Sequence, residues 1–285
     1  MNPTITRGIF DVLSLSSVLI LLVIGMAIIV GMMKVFNMCQ GELILLGAVT
    51  AFLCSKYLGN IWLGIFLAPL IVGIFGFFLE RTIIHRFYVN PQAALLATFA
   101  IGLIIRETLR TRMNTQGAPV APPIENYVEI GGTNLPVWRV VIIAVTLVLT
   151  LTIAFVLLKT NLGMKVRATL DNPELVSVSG ISTKWMYACT YAIGAALSGF
   201  AGAMIVPLQT LYPNLGYDNL ILMFIAVLVG GLGQFSGPII GAAIIASTGA
   251  LLGQFISPVT GQIMVVLFAV VLTRLRPAGI LKGGR

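Results

Sequence analysis

Charged residues are scarce in this 285-residue chain: Asp, Glu, Lys and Arg make up 9% of the sequence, and hydrophobic residues make up 58%. Soluble domains carry about 25% charged residues, so this composition excludes a soluble globular protein. The mean hydropathy of +1.04 agrees. The apolar runs are long and nearly continuous, whereas outer-membrane barrels show short alternating strands. The sequence therefore predicts an all-α, polytopic integral membrane helix bundle.

Side chains that bind metals or catalyse reactions are also few. Cys39, Cys54 and Cys189 lie in apolar segments without metal-ligand spacing, so we expect buried, inert thiols. The single histidine, His85, neighbours Arg86 at a predicted membrane edge. No GxxxxGK[ST] phosphate-binding loop occurs, and no Ser/His or Asp pair lies within an apolar run. We therefore expect no metal, no cofactor, no ATP site and no enzymatic activity in this chain.

Basic residues show no regular series and no dense patch, which excludes a voltage sensor and a nucleic-acid partner. The net charge of +8 is better explained by loops that lie near anionic lipid. No cleavable signal peptide is evident, because the first residues carry Arg7 and Asp11 and the apolar run from Val18 continues for a full span.

The apolar runs predict about eight or nine membrane spans in a single transmembrane domain over residues 1–285. The run 220–232 is shorter than the about 20 residues that a crossing helix needs. It is predicted to form a half-helix, or a re-entrant hairpin with the next run, so one or two helices are short or broken. The predicted spans are 12–33, 35–54, 62–79, 92–105, 140–158, 186–206, 220–232, 238–256 and 259–273.

The polar segment 159–185 is predicted to be cytoplasmic because it carries four basic residues between two spans. This orientation also places the C-terminus in the cytoplasm and the loop 113–137 outside, and it places the N-terminus outside if all nine spans cross. Arg106, Arg110 and Arg112 disagree, since they fall at the outer end of the fourth predicted span. The four basic residues are Lys159, Lys165, Arg167 and Lys184.

A short amphipathic helix is predicted inside this cytoplasmic segment. Asp171 and Asn172 are good capping residues, and Pro173 suits a first helical turn. Gly180 is a typical residue after a helix end. The helix is either a docking surface or part of a solvated loop. Its predicted contact residues are Asp171, Asn172, Pro173, Glu174, Leu175 and Val178.

Glu42 is a carboxylate inside an apolar run, where a charge costs about 2.5–3.5 kcal/mol or more. It should face the bundle interior, a water-filled path or an interface. With Asn37 and Gln40 nearby, a break in the helix is plausible. Two interpretations stay open: these three residues line a solute path or gate, or Glu42 is a structural carboxylate at the break.

Small residues recur four positions apart, which allows helix backbones to approach closely in lipid. This spacing predicts tight helix packing and no chemistry. The predicted packing residues are Gly194, Ser198, Gly202, Gly233, Gly237 and Gly241.

Several segments, in order along nearly the whole chain, resemble the permease subunits of ABC importers for branched-chain amino acids, urea and short amides. The family usually has Ala-His where this chain has Cys39-Gln40, a departure that affects only that turn. The segment 86–98 (RFYVNPQAALLAT) is closer to the urea and amide branch. The matching segments are 37–48 (NMCQGELILLGA), 95–102 (LLATFAIG), 160–168 (TNLGMKVRA), 198–203 (SGFAGA), 229–242 (VGGLGQFSGPIIGA) and 275–280 (LRPAGI).

The resemblance implies a multi-pass protein of a bacterial-type plasma (inner) membrane. Its implied partners are a homologous second permease, two ATP-binding ABC subunits and an extracytoplasmic substrate-binding protein. The predicted short helix would be the coupling helix that docks on an ATPase, and the solute path would lie between the two permeases. The alternative function is a stand-alone secondary transporter or channel, which would usually carry more ionisable residues within its spans.

Overall fold

The computed structural model describes residues 3–33, 36–88, 90–113, 117–130, 133–180, 182–231, 235–255, 258–276 and 279–280. This described part is overwhelmingly helical, which confirms the all-α polytopic class. The helices are α1 (Pro3–Met33), α2 (Gln40–Leu58), α3 (Ile61–Thr82), α4 (Pro91–Arg112), α5 (Val137–Lys159), α6 (Asn161–Asp171), α7 (Pro173–Val178), α8 (Thr183–Ile205), α9 (Leu215–Gly230), α10 (Ser236–Phe255) and α11 (Pro258–Leu275), with a 3₁₀ turn at Ile84–Phe87.

Seven helical segments in the described residues are long and apolar enough to cross a membrane. They belong to α1, α2, α3, α4, α5, α8 and α10. The helix α9 and the apolar part of α11, Thr260–Leu275, are shorter. Two short helices therefore accompany the long ones, as the hydropathy pattern predicted.

Several helix bounds differ from the predicted spans, those of α2, α4 and α9 among them. α2 begins at Gln40 instead of residue 35, because the polar sequence before it forms a turn. α4 continues through Arg112, seven residues past the predicted end of its span, since its last turns are polar but still good helix formers. α9 begins at Leu215 instead of residue 220. Hydropathy marks where a helix is apolar and not where its hydrogen bonds begin.

Two elements outside the spans were not predicted. In the loop 113–137, strands β1 (Tyr127–Ile130) and β2 (Thr133–Pro136) form an antiparallel pair in which Glu129 faces Asn134. In the polar segment 159–185, α6 precedes the predicted short helix and begins at the capping residue Thr160, whose Oγ1 accepts a hydrogen bond from the backbone N–H of Gly163 at 3.3 Å.

The backbone forms two compact units. The first comprises Met1–Val23, Ala121–Val148 and Ile221–Arg285. Within it, Asp11 and Arg139 form an ion pair at 3.1 Å, beside a cleft of about 400 Å³ that Arg7 and Asn134 also line. The part of α9 from Ile221 onward belongs to this unit. It packs on α10 through glycines, and the two helices form a hairpin.

The second unit comprises Ile24–Val120 and Leu149–Leu220. Its centre is α2, α3 and α8, which pack closely through small residues. α2 and α8 run parallel, because Gln40 lies beside Ser198 and Ile44 lies beside Gly202. α3 runs antiparallel to α8, since Val72 lies beside Gly199 and Gly76 lies beside Ala195. This packing holds the polar turn before α2 inside the unit.

Candidate functional site

The polar turn before α2 is buried, and its amide groups bond within the second unit. Asn37 is buried and uses both ends of its side chain. Its Oδ1 accepts a hydrogen bond from the backbone N–H of Cys39 at 3.1 Å, which supports the turn. Its Nδ2 donates to the hydroxyl of Tyr191 on α8 at 2.9 Å and to Oε1 of Gln40 at 3.2 Å. The turn is therefore anchored to α8.

Gln40, the first residue of α2, continues this network. Its Nε2 donates to the hydroxyl of Ser198, which in turn donates to the backbone carbonyl of Gly194 at 2.8 Å. Both side chains are fully buried. Buried amide and hydroxyl groups need such partners because an unpaired one costs about 1–3 kcal/mol. Ser198, predicted only as a small packing residue, thus also satisfies a buried amide.

Glu42 lies in the first turn of α2 and pairs with Arg106 on α4. Nε of Arg106 donates to Oε1 of Glu42 at 2.9 Å, and the two side chains are 12% and 1% exposed. The guanidinium lies over the ring of Tyr217, with 4.5 Å between its central carbon and the ring centroid. Oε2 of Glu42 is buried and has no hydrogen-bond partner among the described residues.

Three glycines allow helices to approach Glu42. A Cβ at Gly41 would overlap the backbone carbonyl of Gly216, and a Cβ at Gly216 would overlap that of Gly41. The first turns of α2 and α9 therefore touch through their backbones. On α4, a Cβ at Gly102 would lie 3.4 Å from Cγ of Glu42. These contacts bring the N-terminal ends of two helices beside the Glu42–Arg106 pair.

The partner of Glu42 was not identified from the sequence, although a signal was present. Arg106 contradicted the positive-inside pattern, and Glu42 was an unexplained carboxylate inside an apolar run. A carboxylate and a guanidinium that are each costly alone in an apolar span cost less when they pair. Charged residues that disagree with the predicted spans or orientation can therefore be used to predict ion pairs.

A second buried carboxylate, Glu80 at the end of α3, was also missed. The hydroxyl of Tyr88 donates to its Oε1, while Oε2 has no partner among the described residues. Burial, together with the Glu80 carboxylate, raises the pKa of Tyr88, so this hydroxyl keeps its proton at physiological pH. The sequence placed Glu80 in a polar loop, because nothing local distinguishes it from a solvated residue.

The predicted coupling helix lies at α7. Asp171 is the last residue of α6 and not part of the helix start, which corrects that boundary. Asn172 caps α7 alone, since its Oδ1 accepts from the backbone N–H of Leu175 at 3.1 Å, and Pro173 takes the first helical position. Leu175 is 64% exposed and Val178 is 86% exposed. Glu174 is exposed as well.

The small residues lie in both units. A Cβ at Gly194 would meet Ile29, and one at Gly202 would overlap the backbone carbonyl of Ile44. In the first unit, Cβ atoms at Gly237 and Gly241 would meet the backbone of Gly230. Gly233 lies outside the described residues.

The cysteines divide into two kinds. Cys39 and Cys54 are buried, as expected, whereas Cys189 is exposed on α8, so the expectation of burial was wrong for that residue. Its side chain lies on a face of α8 that the described residues do not cover. Among the described residues, no group of three or more His, Cys, Asp or Glu side chains is placed to hold a metal ion.

Comparison with known proteins gives consistent matches over nearly the whole chain. The sequence profile of a family described as branched-chain amino acid transport system / permease component matches residues 8–274. LivH of Escherichia coli, a high-affinity branched-chain amino acid transport system permease protein, is 24% identical over 292 residues, which cover 96% of this chain and 94% of LivH. BraD of Pseudomonas aeruginosa, described in the same terms, is 21% identical over 285 residues, with 94% and 93% covered.

Among solved structures, PsaBC from Streptococcus pneumoniae in complex with Fab has a TM-score of 0.49 and 12% identity, and covers 96% of this chain and 92% of that chain. The family profile spans nearly every described helix, including the Glu42 turn and α7. This match favours an importer permease over a stand-alone transporter or channel. The chain belongs to the family of branched-chain amino acid transport system permease components, and it is a multi-pass inner-membrane permease subunit of an ABC importer.

Proposed function

We propose that this chain forms half of the solute path of an importer for branched-chain amino acids, urea or short amides. A homologous second permease would form the other half. Two ATP-binding subunits would dock on its cytoplasmic side, and an extracytoplasmic binding protein would deliver the solute. The chain itself would carry out no chemical step, since ATP hydrolysis would take place in the partner subunits.

The exposed apolar surface of α7 is the observation that carries the coupling part of this proposal. Leu175 and Val178 project from a six-residue helix with a capped N-terminus and are more than half exposed. Exposed apolar side chains on a polar segment that joins two long helices are typical of a docking surface. Closure of the ATPase pair would push on α7, and α6 and α8 would transmit the motion to the bundle.

The direct test replaces the contact residues of α7. The double variant Glu174→Arg with Leu175→Asp should insert normally but lose at least about tenfold of the solute-stimulated ATPase activity, because it reverses a charge and removes an apolar contact at an interface. The ATP-binding subunit should also be lost when the variant is purified through a tag on the permease.

A matched control lies in the β1–β2 hairpin, where Val128 and Glu129 form an equivalent exposed apolar and acidic pair. Val128→Asp with Glu129→Arg should leave retention of the ATP-binding subunit unchanged. If the α7 variant retains that subunit and its stimulated hydrolysis, α7 is part of a solvated loop and the coupling proposal is wrong.

A further inference from the structure

The Glu42–Arg106 pair keeps hydrogen-bonding capacity that the protein does not use. Arg106 binds the carboxylate through Nε alone, so its two terminal amino groups have no hydrogen-bond acceptor among the described residues. Oε2 of Glu42 likewise has no donor there. A guanidinium and a carboxylate usually pair through two parallel hydrogen bonds when nothing else competes. The single hydrogen bond therefore leaves donors on Arg106 and an acceptor, Oε2 of Glu42, unused in the same ion pair.

The surroundings of the pair keep these open groups fixed. Glu42 is held in the first turn of α2, where a carboxylate is stabilised by the positive end of the helix. The Arg106 guanidinium is held against the face of Tyr217, while Arg110, one turn further along α4, donates from Nη2 to Asn214 at 3.2 Å. α4 is thereby tied at two points to residues 214–217, at the start of α9.

The cluster is accessible from the side of Arg106 and Tyr217, although Glu42 and Arg106 lie within helices of membrane-spanning length. Glu42 is almost fully buried, whereas Arg106 is 12% exposed and Tyr217 is 37% exposed. A guanidinium in a spanning helix faces a water-filled path or a protein partner, because contact with lipid tails is costly. The open side of the cluster therefore faces an aqueous path or the second subunit of the importer.

We propose that Glu42 and Arg106 together bind the transported solute, with Tyr217 positioning the guanidinium. The pair fits a small solute that carries an acceptor and an N–H donor close together. An α-amino acid offers a carboxylate to Arg106 and an ammonium group to Glu42. Urea or a short amide offers a carbonyl oxygen and an NH₂ group in the same way. This inference rests on the proposed importer function and assigns the residues that recognise its solute.

The test uses the complete importer in proteoliposomes with its binding protein. Uptake of L-leucine, urea and acetamide is measured separately, together with ATP hydrolysis in the same vesicles. The variant Arg106→Lys should lower uptake per ATP at least about tenfold for the solute that the wild type transports, whereas the effect of Glu42→Gln should depend on the class of that solute. Hydrolysis stimulated by the loaded binding protein should stay within about twofold of the wild type, because the variants do not touch the coupling surface.

The matched controls are two charged residues with exposed side chains on the same helix, Glu107 and Arg112. Glu107→Gln and Arg112→Lys should leave uptake per ATP unchanged. The variant Glu42→Gln distinguishes the two solute classes. Loss of the negative charge should abolish uptake of an amino acid, which carries an ammonium group. Uptake of an amide should fall only a few-fold, since glutamine still offers a carbonyl acceptor.

The double variant Glu42→Gln with Arg106→Gln separates recognition from a purely structural ion pair. It leaves no lone buried charge, so it should assemble even if a single variant does not. Recognition predicts that its uptake is lost while stimulated hydrolysis remains. Restored uptake, or a parallel loss of assembly, hydrolysis and uptake, would overturn the proposal. A wild-type complex that hydrolyses ATP but imports none of the three solutes would overturn both this inference and the proposed solute class.

Discussion

Several buried polar side chains in the second unit bond to each other. Asn37, Gln40 and Ser198 form one hydrogen-bonded group, and Glu80 with Tyr88 forms another. In an apolar interior each missing partner exposes the full cost of desolvation. These residues are thus more sensitive to loss of a partner than to a small change in volume.

The Glu80–Tyr88 bond gives a test of this sensitivity. Tyr88→Phe should lower the melting temperature of the purified complex, because it leaves a buried carboxylate without its donor at a cost of about 1–3 kcal/mol. Tyr187→Phe is the control, since the Tyr187 ring packs on Tyr88 at 5.1 Å between centroids but no hydrogen bond of its hydroxyl is found in the described part of the chain. Equal melting temperatures for both variants would show that Glu80 is solvated or protonated.

The helices of the second unit meet through backbone contacts that only glycine permits. Gly47 and Gly202 mark where α2 touches α8, because a Cβ at either position would overlap backbone of the other helix. Without a hydrophobic driving force between helices in lipid, such close contacts supply much of the packing energy. The fit between these helices is therefore intolerant of even one added methyl group.

A matched pair of glycine-to-alanine changes separates packing from helix propensity. Gly202→Ala should lower thermal stability, because its Cβ would overlap the carbonyl of Ile44 and overpacking typically costs about 1–3 kcal/mol. Gly31→Ala has no atom of the described residues within 4 Å of its Cβ and should be neutral or slightly stabilising. Differential scanning fluorimetry of the two purified variants would decide; a similar shift in both would refute close packing at Gly202.

The orientation of the whole molecule in the membrane follows from the charges of its loops. The segment with α6 and α7 carries Lys159, Lys165 and Arg167, whereas the described part of the loop with β1 and β2 carries Glu125 and Glu129 and no basic residue. Cytoplasmic loops are enriched in lysine and arginine. This asymmetry underlies the prediction that α7 and the C-terminus are cytoplasmic.

Cysteine labelling tests this orientation. In a Cys189→Ser background, Glu129→Cys should react with a membrane-impermeant maleimide in intact cells or spheroplasts. Ser177→Cys on α7 should react only after the membrane is permeabilised, since both positions are exposed in the chain but are predicted to lie on opposite sides. Labelling of Ser177→Cys in intact spheroplasts would reverse the predicted orientation.

The sequence by itself determined the helical membrane class, the short helix α9 and the cap of α7. These features are local: a span needs a continuous apolar run, and a cap needs one side chain next to its own backbone. The family was also accessible, because its motifs are contiguous in the chain. Asn172 and Pro173 start α7 through contacts with neighbouring residues alone, so their role can be predicted without the tertiary structure.

Only the tertiary structure decided which distant residues meet. Glu42 and Arg106 are 64 positions apart, and Gln40 and Ser198 are 158 apart. Hydropathy assigns each of them to a span but does not specify which helix faces which. Gly41 and Gly216 permit two helices to approach closely, but the sequence does not show that these two glycines contact each other. The helices packed around Glu42 determine that its Oε1 binds Arg106 while its Oε2 has no hydrogen-bond partner among the described residues. No local sequence pattern contains this information.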